Sequence, residues 1–275
     1  MVTAIQAPPV APAPVGALLR EWRRRRKLSQ LALALGADVS QRHLSFLESG
    51  RAQPSREMVL RLAAHLELPL RERNRLLLAA GFAPFYPERP LDDPALGAAR
   101  VAIERVLGVH EPYPALALDR HWTLVMANRA VAPLLVDASP ALLAPPVNVL
   151  RLSLHPDGLA RRIVNYRQWR THLLERLHQQ VLASADPVLE ALHHGLRAYP
   201  PPPSGDSTDV AVDGAGVFVP FRLATDRGVL TFLSTTTIFG TPVDVTLAEL
   251  MLECFFPADE ETVGALTIDA PSVRR

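Results

Sequence analysis

Between Val15 and Ala83 the apolar positions recur at helical spacing in five short bursts, each bounded by a polar cap or a breaker. The pattern predicts helices over Val15–Lys27, Gln30–Leu35, Gln41–Ser49, a run to Leu66 capped by Ser55, and Leu70–Ala80 closed by Gly81. Ser29 and Ser40 are N-cap residues, because a serine oxygen can accept from the free backbone N–H groups of a first turn. Gly36-Ala37-Asp38 breaks the second burst, and Asp38 takes a left-handed backbone more readily than a branched residue would. Gly50 lies just past the third. In that third burst Leu44 and Leu47 fall on one side with His43 beside them, and Gln41, Arg42, Ser45, Phe46 and Ser49 project the other way. Ala34 is small where the two helices flanking the turn must approach.

Beyond Ala83 the pattern changes character. Four prolines between Phe82 and Pro94 predict a linker. A helix is expected over Ala95–Leu107. Ala115–Leu118 and Trp122–Met126 are short strand candidates joined by a tight turn at Asp119-Arg120-His121. Ala127–Leu135 reads as helical, Ala144–Ser153 as irregular around Pro145-Pro146, Gly158–Ser184 and Pro187–Arg197 as helices, and Tyr199–Asp213 as a loop. Gly216–Ala224 and Gly228–Ile238 alternate as a hairpin across Thr225-Asp226-Arg227. Thr246–Glu253 reads as a closing helix, followed by an acidic, mobile tail from Pro257. The expected architecture is multidomain: an all-α, five-helix unit over 15–83 after a disordered or extended Pro/Ala-rich arm (1–14), a linker (84–94), an α+β domain with an antiparallel sheet (95–256), and the tail (257–275).

The segment SQLALALGADVSQRHLSFLESGRAQP closely resembles the helix-turn-helix of phage-repressor-like regulators, the XRE family, and the likeness extends from about Leu18 to Ala83. It implies that the helix after Ser40 enters the major groove of double-stranded DNA and that its first turns read base edges. On that resemblance Gln41, Arg42 and Phe46 match base-reading positions, Gln30 a phosphate contact, and Arg23 with Glu48 an ion pair tying the first helix to the recognition helix. Ser40, His43, Ser45 and Arg51 complete the candidate DNA surface. The residue types suit base reading, since glutamine pairs with adenine, arginine with guanine, and a phenylalanine can lie on a thymine methyl. Phe46 also fits as a core residue of a slightly rotated helix. The turn carries Asp38 where the family usually has glycine.

Charge agrees with a nucleic-acid partner for one end of the chain. Residues 1–89 hold 14 Arg/Lys against 7 Asp/Glu, while residues 90–275 hold 15 against 21, a division hidden by the overall net charge of +1. The run Arg23-Arg24-Arg25-Arg26-Lys27 offers phosphate contacts, and equally complements the dipole at a helix end.

A second resemblance covers most of the remainder. HEPYPALALDRHWTLVMAN, NVLRLSLHPDG and NYRQWRTHLLERL resemble the ligand-binding domain of MmyB-like transcription regulators, with a PAS-like sheet. This implies a cytoplasmic regulator whose carboxy-terminal domain encloses a small apolar ligand, a fatty acid being the favoured form. Residues of the right type for a pocket are Trp122, Asn128, Asn148, His155, Tyr166, Trp169, Phe218, Phe221 and Phe232. Arg151, Arg161 and Arg162 are candidates to meet a ligand carboxylate. A homodimer is expected, since one recognition helix reads one half-site. The rival reading makes the large domain a dimerisation or protein-interaction module without a ligand.

Enzymatic readings find no foothold in the motifs. There is no HExxH, P-loop or GxGxxG; the sole lysine, Lys27, lies in the basic unit; Cys254 sits in an apolar run; and His172, His178, His193 and His194 lack metal-ligand spacing. No catalytic residue, metal ligand or required cofactor is therefore assigned. The single cysteine fits a reducing cytoplasm, no apolar run reaches the about 18 residues of a membrane span, and the amino terminus lacks the pattern of a secretory signal.

Overall fold

Serine side chains start three of the amino-terminal helices, and a left-handed residue stops each of the five. The computed structural model describes residues 13–202, 218–240 and 242–267. Its first helices are α1 (Val15–Arg25), α2 (Gln30–Gly36), α3 (Gln41–Glu48), α4 (Arg56–His65) and α5 (Leu70–Ala79). Ser29, Ser40 and Ser55 accept from the N–H groups of Ala32, His43 and Met58. At the other ends Lys27, Asp38, Gly50, Glu67 and Gly81 take positive φ. In each case the next residue donates its N–H back across the last turn: Leu28 to Arg23, Val39 to Ala34, Arg51 to Phe46, Leu68 to Ala63 and Phe82 to Leu77. Asp38, at φ 53°, closes the turn that a glycine would usually close.

These stops aim the apolar faces inward. Leu19, Trp22, Leu33, Ala34, Leu44, Leu47, Leu62 and Leu76 share one buried core. The close approach of α1 to α3 depends on Gly16, where an added Cβ would lie 2.2 Å from the Leu47 carbonyl oxygen. Two compact units divide the chain, one up to Glu88 together with Val243–Val245, the other from Arg89 onward. The predicted linker is stitched to the first unit at its start: the buried Asn74 amide accepts from Phe85 and Tyr86 N–H and donates to the Tyr86 carbonyl.

The second unit is α+β. It holds α6 (Gly97–Val109), strands β1 (Ala115–Leu118) and β2 (Leu124–Ala127), short helices α7 (Pro140–Leu143) and α8 (Val149–Leu154), long helices α9 (Tyr166–Ser184) and α10 (Pro187–Arg197), hairpin β3 (Phe221–Thr225) and β4 (Gly228–Ile238), all but the first residue of the single turn α11 (Val245–Ala248), β5 (Met251–Pro257) and α12 (Glu260–Thr267). Among the described residues the strands pair antiparallel in the order β2-β1-β5-β4-β3. One face packs on α6 through Ile103 and Leu107. The other carries the main core, with Trp169, Leu173 and Leu177 of α9.

Several expectations are corrected. The closing helix Thr246–Glu253 is one turn followed by β5, the central strand. β5 is buried on both sides along its first four residues, so it shows no alternation to read. Trp122 belongs to the turn, not a strand: Asp119 Oδ1 accepts from His121 and Thr123 N–H, and Trp122 takes φ 65° to close the loop. Ala127–Leu135 is not a helix, because Asn128 turns its side chain onto the backbone; only a 3-10 turn at Ala132–Leu135 remains. Asn148 starts a helix, α8, within the segment expected to be irregular. The tail beyond Pro257 contains α12, joined to β4 where the Thr231 N–H donates to Thr262. The arm assigned to 1–14 falls almost entirely outside the described residues.

Candidate functional site

The third helix of the basic unit is fixed from behind and open in front. Behind it, Glu48 is enclosed, its side chain 0% exposed. The Arg23 guanidinium donates to both its oxygens, at 2.6 and 2.8 Å, and the Gln30 amide adds a third bond at 2.9 Å. Arg20 reaches the Glu48 carbonyl at 2.6 Å. Burial alone would raise the Glu48 carboxyl; the bonds from Arg23 and Gln30 and the charges of Arg23 and Arg20 outweigh it and hold it below the usual range. The same pairing raises Arg23 further, against its own burial. So the first helix, the start of α2 and the end of α3 meet at one carboxylate.

In front, Gln41, Arg42 and Arg51 are exposed, His43 and Ser45 half-buried. The Ser40 hydroxyl is committed to the His43 N–H and therefore caps the helix. Phe46 is half-buried between two arginines, with the Arg42 guanidinium 5.4 Å and the Arg51 guanidinium 5.9 Å from its ring centre. Its ring thus braces the two cations. The basic run divides. Arg23 serves Glu48, and Arg26 donates to the Leu66 and Glu67 carbonyls at the end of α4. Arg24, Arg25 and Lys27 face solvent, Arg25 paired with Glu21.

In the second unit a cavity of about 100 Å³ lies between the sheet and its covering helices. Leu116 and Leu118 of β1 and Leu124 of β2 form its floor; Trp122, Val131, Leu150, Trp169, Leu173 and Phe221 close it. Two polar residues reach it, Ser153 and Glu253. The Trp169 Nε1–H donates to the Ser153 hydroxyl at 3.0 Å, and the Trp122 Nε1–H to the Gln180 side chain at 2.7 Å. Trp122 is nearly buried at positive φ, an outlying backbone for a bulky residue. The Arg176 guanidinium lies over its ring at 4.6 Å.

Residues 99–267, more than half of the chain, match the model of the MmyB-like transcription regulator ligand binding domain. The chain belongs to the MmyB-like transcription regulators. Residues 19–73 of this regulator match a helix-turn-helix model. A curated relative, the uncharacterized HTH-type transcriptional regulator RghRB of Bacillus subtilis, is 38% identical over 77 residues; they are 28% of this chain and 53% of that protein, so the match spans about half the relative's length. The crystal structure of the clp gene regulator ClgR of Corynebacterium glutamicum aligns at 28% identity over 38% of this chain and 97% of that one, with a TM-score of 0.23. The families are those of transcription regulators, not of enzymes. Among the described residues no helix is long and apolar enough to cross a membrane, and no group of three His, Cys, Asp or Glu is placed to hold a metal ion.

Of the nine pocket residues predicted for this MmyB-like regulator, Trp122, Trp169 and Phe221 line the cavity. The other six are not among its lining residues. Asn128 ties the end of α6 to β1, accepting from Ala115 N–H and donating to the Leu107 and Tyr113 carbonyls. Asn148 caps α8 and holds the His121 carbonyl. His155 accepts from the Asp157 N–H and packs on Tyr199. Tyr166 is buried with its hydroxyl on the Leu154 carbonyl, and burial raises its pKa. Phe232 is sealed beneath Phe221 and Phe255, and Phe218 is 65% exposed. Arg162 clamps the Leu134 and Ala224 carbonyls, which commits it to structure. Sequence reasoning missed Ser153, Glu253 and the aliphatic floor. One signal was present: a lone glutamate inside the apolar run Met251-Leu-Glu-Cys-Phe-Phe256.

Proposed function

We propose that this chain is a dimeric, cytoplasmic, sequence-specific DNA-binding regulator whose large domain responds to a small apolar molecule. The carrying observation is the presentation of α3: Gln41 and Arg42 stand exposed on a helix whose far end is held by the Arg23–Glu48 fork. Fixed bases of this kind lower the ordering cost of reading a groove. Gln41 and Arg42 are assigned to base edges, Arg51 and the second Gln30 amide hydrogen to phosphates, and Phe46 to positioning Arg42. The cavity supports the sensing half of the proposal by being apolar and walled by two tryptophans. Ligand sites commonly fall in the range of about 300–1,000 Å³. Compact molecules therefore fit as the cavity stands, and a fatty acid needs side chains to move. Occupancy shifts DNA binding only if the ligand prefers one arrangement of the two heads.

Selection of bound sequences from a random DNA pool, with and without extracted cellular lipid, tests the proposal. Recovery of a two-fold symmetric motif whose enrichment changes with the extract is expected; recovery of no motif would overturn the reading of α3. The small cavity favours one rival, a large domain that only dimerises. Mass spectrometry of the gently denatured protein separates the two, since consistently empty protein sides with the rival.

A further inference from the structure

A buried ion pair is a poor device for stability alone, because an apolar pair of like volume often does as well or better. β5 nonetheless places Glu253 between Met251 and Phe255 on the cavity side of the sheet, with its side chain 6% exposed. Arg176 of α9 donates to both oxygens at 3.0 Å, and the Thr236 hydroxyl donates to Oε2 at 3.2 Å. Glu253 is among the residues that line the cavity and Arg176 is not. A carboxylate offers about four lone-pair sites. The bonds from Arg176 and Thr236 leave one on Oε1.

We propose that Glu253 selects the guest: a compact, uncharged molecule with an apolar body and one hydrogen-bond donor, a hydroxyl or N–H, that bonds Oε1. This rests on the reading of the cavity as a ligand site and deepens it. An acid is disfavoured, since its charge would lie beside that of Glu253 within a largely apolar lining. An ammonium is disfavoured as well, because Arg176 already balances the carboxylate and a third charge would be buried uncompensated. Size adds a limit. A cavity of about 150 Å³ admits benzene, and this one is about 100 Å³.

The test uses the full chain and three probes of equal length: n-butanol, n-chlorobutane and butyrate. Binding is followed at neutral pH by tryptophan emission, since Trp122 and Trp169 both line the cavity. n-Butanol is expected to bind about tenfold more tightly than either analogue, the worth of one hydrogen bond to a charged acceptor. Glu253→Gln should cut the preference over butyrate by about tenfold, as the repelling charge goes. Equal binding of n-butanol and n-chlorobutane overturns the donor claim while leaving the cavity a ligand site. Tighter binding of butyrate overturns it in favour of an acid. Binding of none of the three overturns both readings. The wild-type series decides even if the variant does not fold.

Discussion

Both units of this regulator bury a glutamate beneath a forked arginine, and the surroundings give the two pairs different roles. Glu48 is enclosed on every side, by Arg23, Gln30 and Arg20, and its neighbours Leu44 and Leu47 are fully buried. Glu253 has Arg176 and Thr236 on one side and the cavity on the other. In the first case every strong bond joins one helix to another, which makes the carboxylate a fastener. In the second the carboxylate is held by one helix and one strand, and its residue also lines the cavity. What a charge pair does is thus decided less by its own geometry than by what surrounds it.

The largest expected effect breaks the fastener. Glu48→Leu strands the Arg23 guanidinium, only 11% exposed, without its partner. Loss of about 3–5 kcal/mol from the stability of the DNA-binding unit is expected, the usual cost of leaving half of a buried pair. Urea denaturation followed at Trp22, which lies in that unit's core, measures it. A loss below about 1 kcal/mol, typical of surface pairs, would show that the fork fastens little.

Next in size is the face that the fastener presents. Arg42→Ala should cost roughly 1–3 kcal/mol at a specific site and far less on random DNA. Equal weakening on both would make Arg42 a backbone contact. Phe46→Leu sharpens the same point: it removes the ring that braces Arg42 at 5.4 Å, so specificity should fall by a smaller amount.

The two units differ equally in how far their sequences could be read. The first was legible because each signal is local. Serine caps open three of its helices, Asp38, Gly50 and Gly81 mark three of the left-handed stops, and Leu44 and Leu47 mark the buried side within a single helix, while the stops at Lys27 and Glu67 carry no such signal. The ion pair of Arg23 and Glu48 was expected from resemblance and is found at 2.6 Å. The second unit turns on long-range facts. β5 pairs with β1 and β4, far away in sequence, and both of its faces are covered, so its apolar run carries no period to separate strand from helix. Asn128, Asn148 and Tyr166 were plausible pocket groups as residue types, but each is spent on a backbone partner that only the fold supplies. Glu253 was overlooked for the same reason: its meaning depends on Arg176, Thr236 and the cavity lining, which only the fold brings to it.

Acid offers a gentler way to part the two units. His172 lies below a free histidine's 6.5 because of burial first and Arg176 second, with Glu253 and Glu175 pulling weakly the other way. His193 is lowered from 6.5 likewise, by burial and then by His178, Arg197 and His194. In the folded state both stay neutral where the unfolded chain takes up protons. Their contribution is therefore intact above pH 6.5 and is lost as pH falls through 6.5 toward the folded values. Glu48 is lowered from 4.5, so its contribution is intact above pH 4.5 and is lost only below it, as the unfolded chain protonates first. Asp186 in the ligand-binding unit follows below 3.8. Between pH 6.5 and 4.5 the ligand-binding unit should weaken while the DNA-binding unit holds. Amide hydrogen exchange across that range would show it, and faster loss of protection in α3 than in α9 would contradict it.

The smallest effect concerns the charges that neither core uses. Arg24 is exposed beside Arg23 and Arg26, whose guanidinium groups are spent on Glu48 and on the end of α4. Replacing Arg24 with alanine removes no hydrogen bond that fastens α1, so stability should change by less than about 0.5 kcal/mol. If Arg24 meets a phosphate, the slope of log affinity against log salt should fall by about 0.9 on specific and random DNA alike. An unchanged slope would confine the electrostatic footprint to Lys27, Arg25 and the α3 face. The pairing of large stability loss at Glu48 with pure salt dependence at Arg24 then separates, within a single basic unit, the charges that hold the fold from those that meet the duplex.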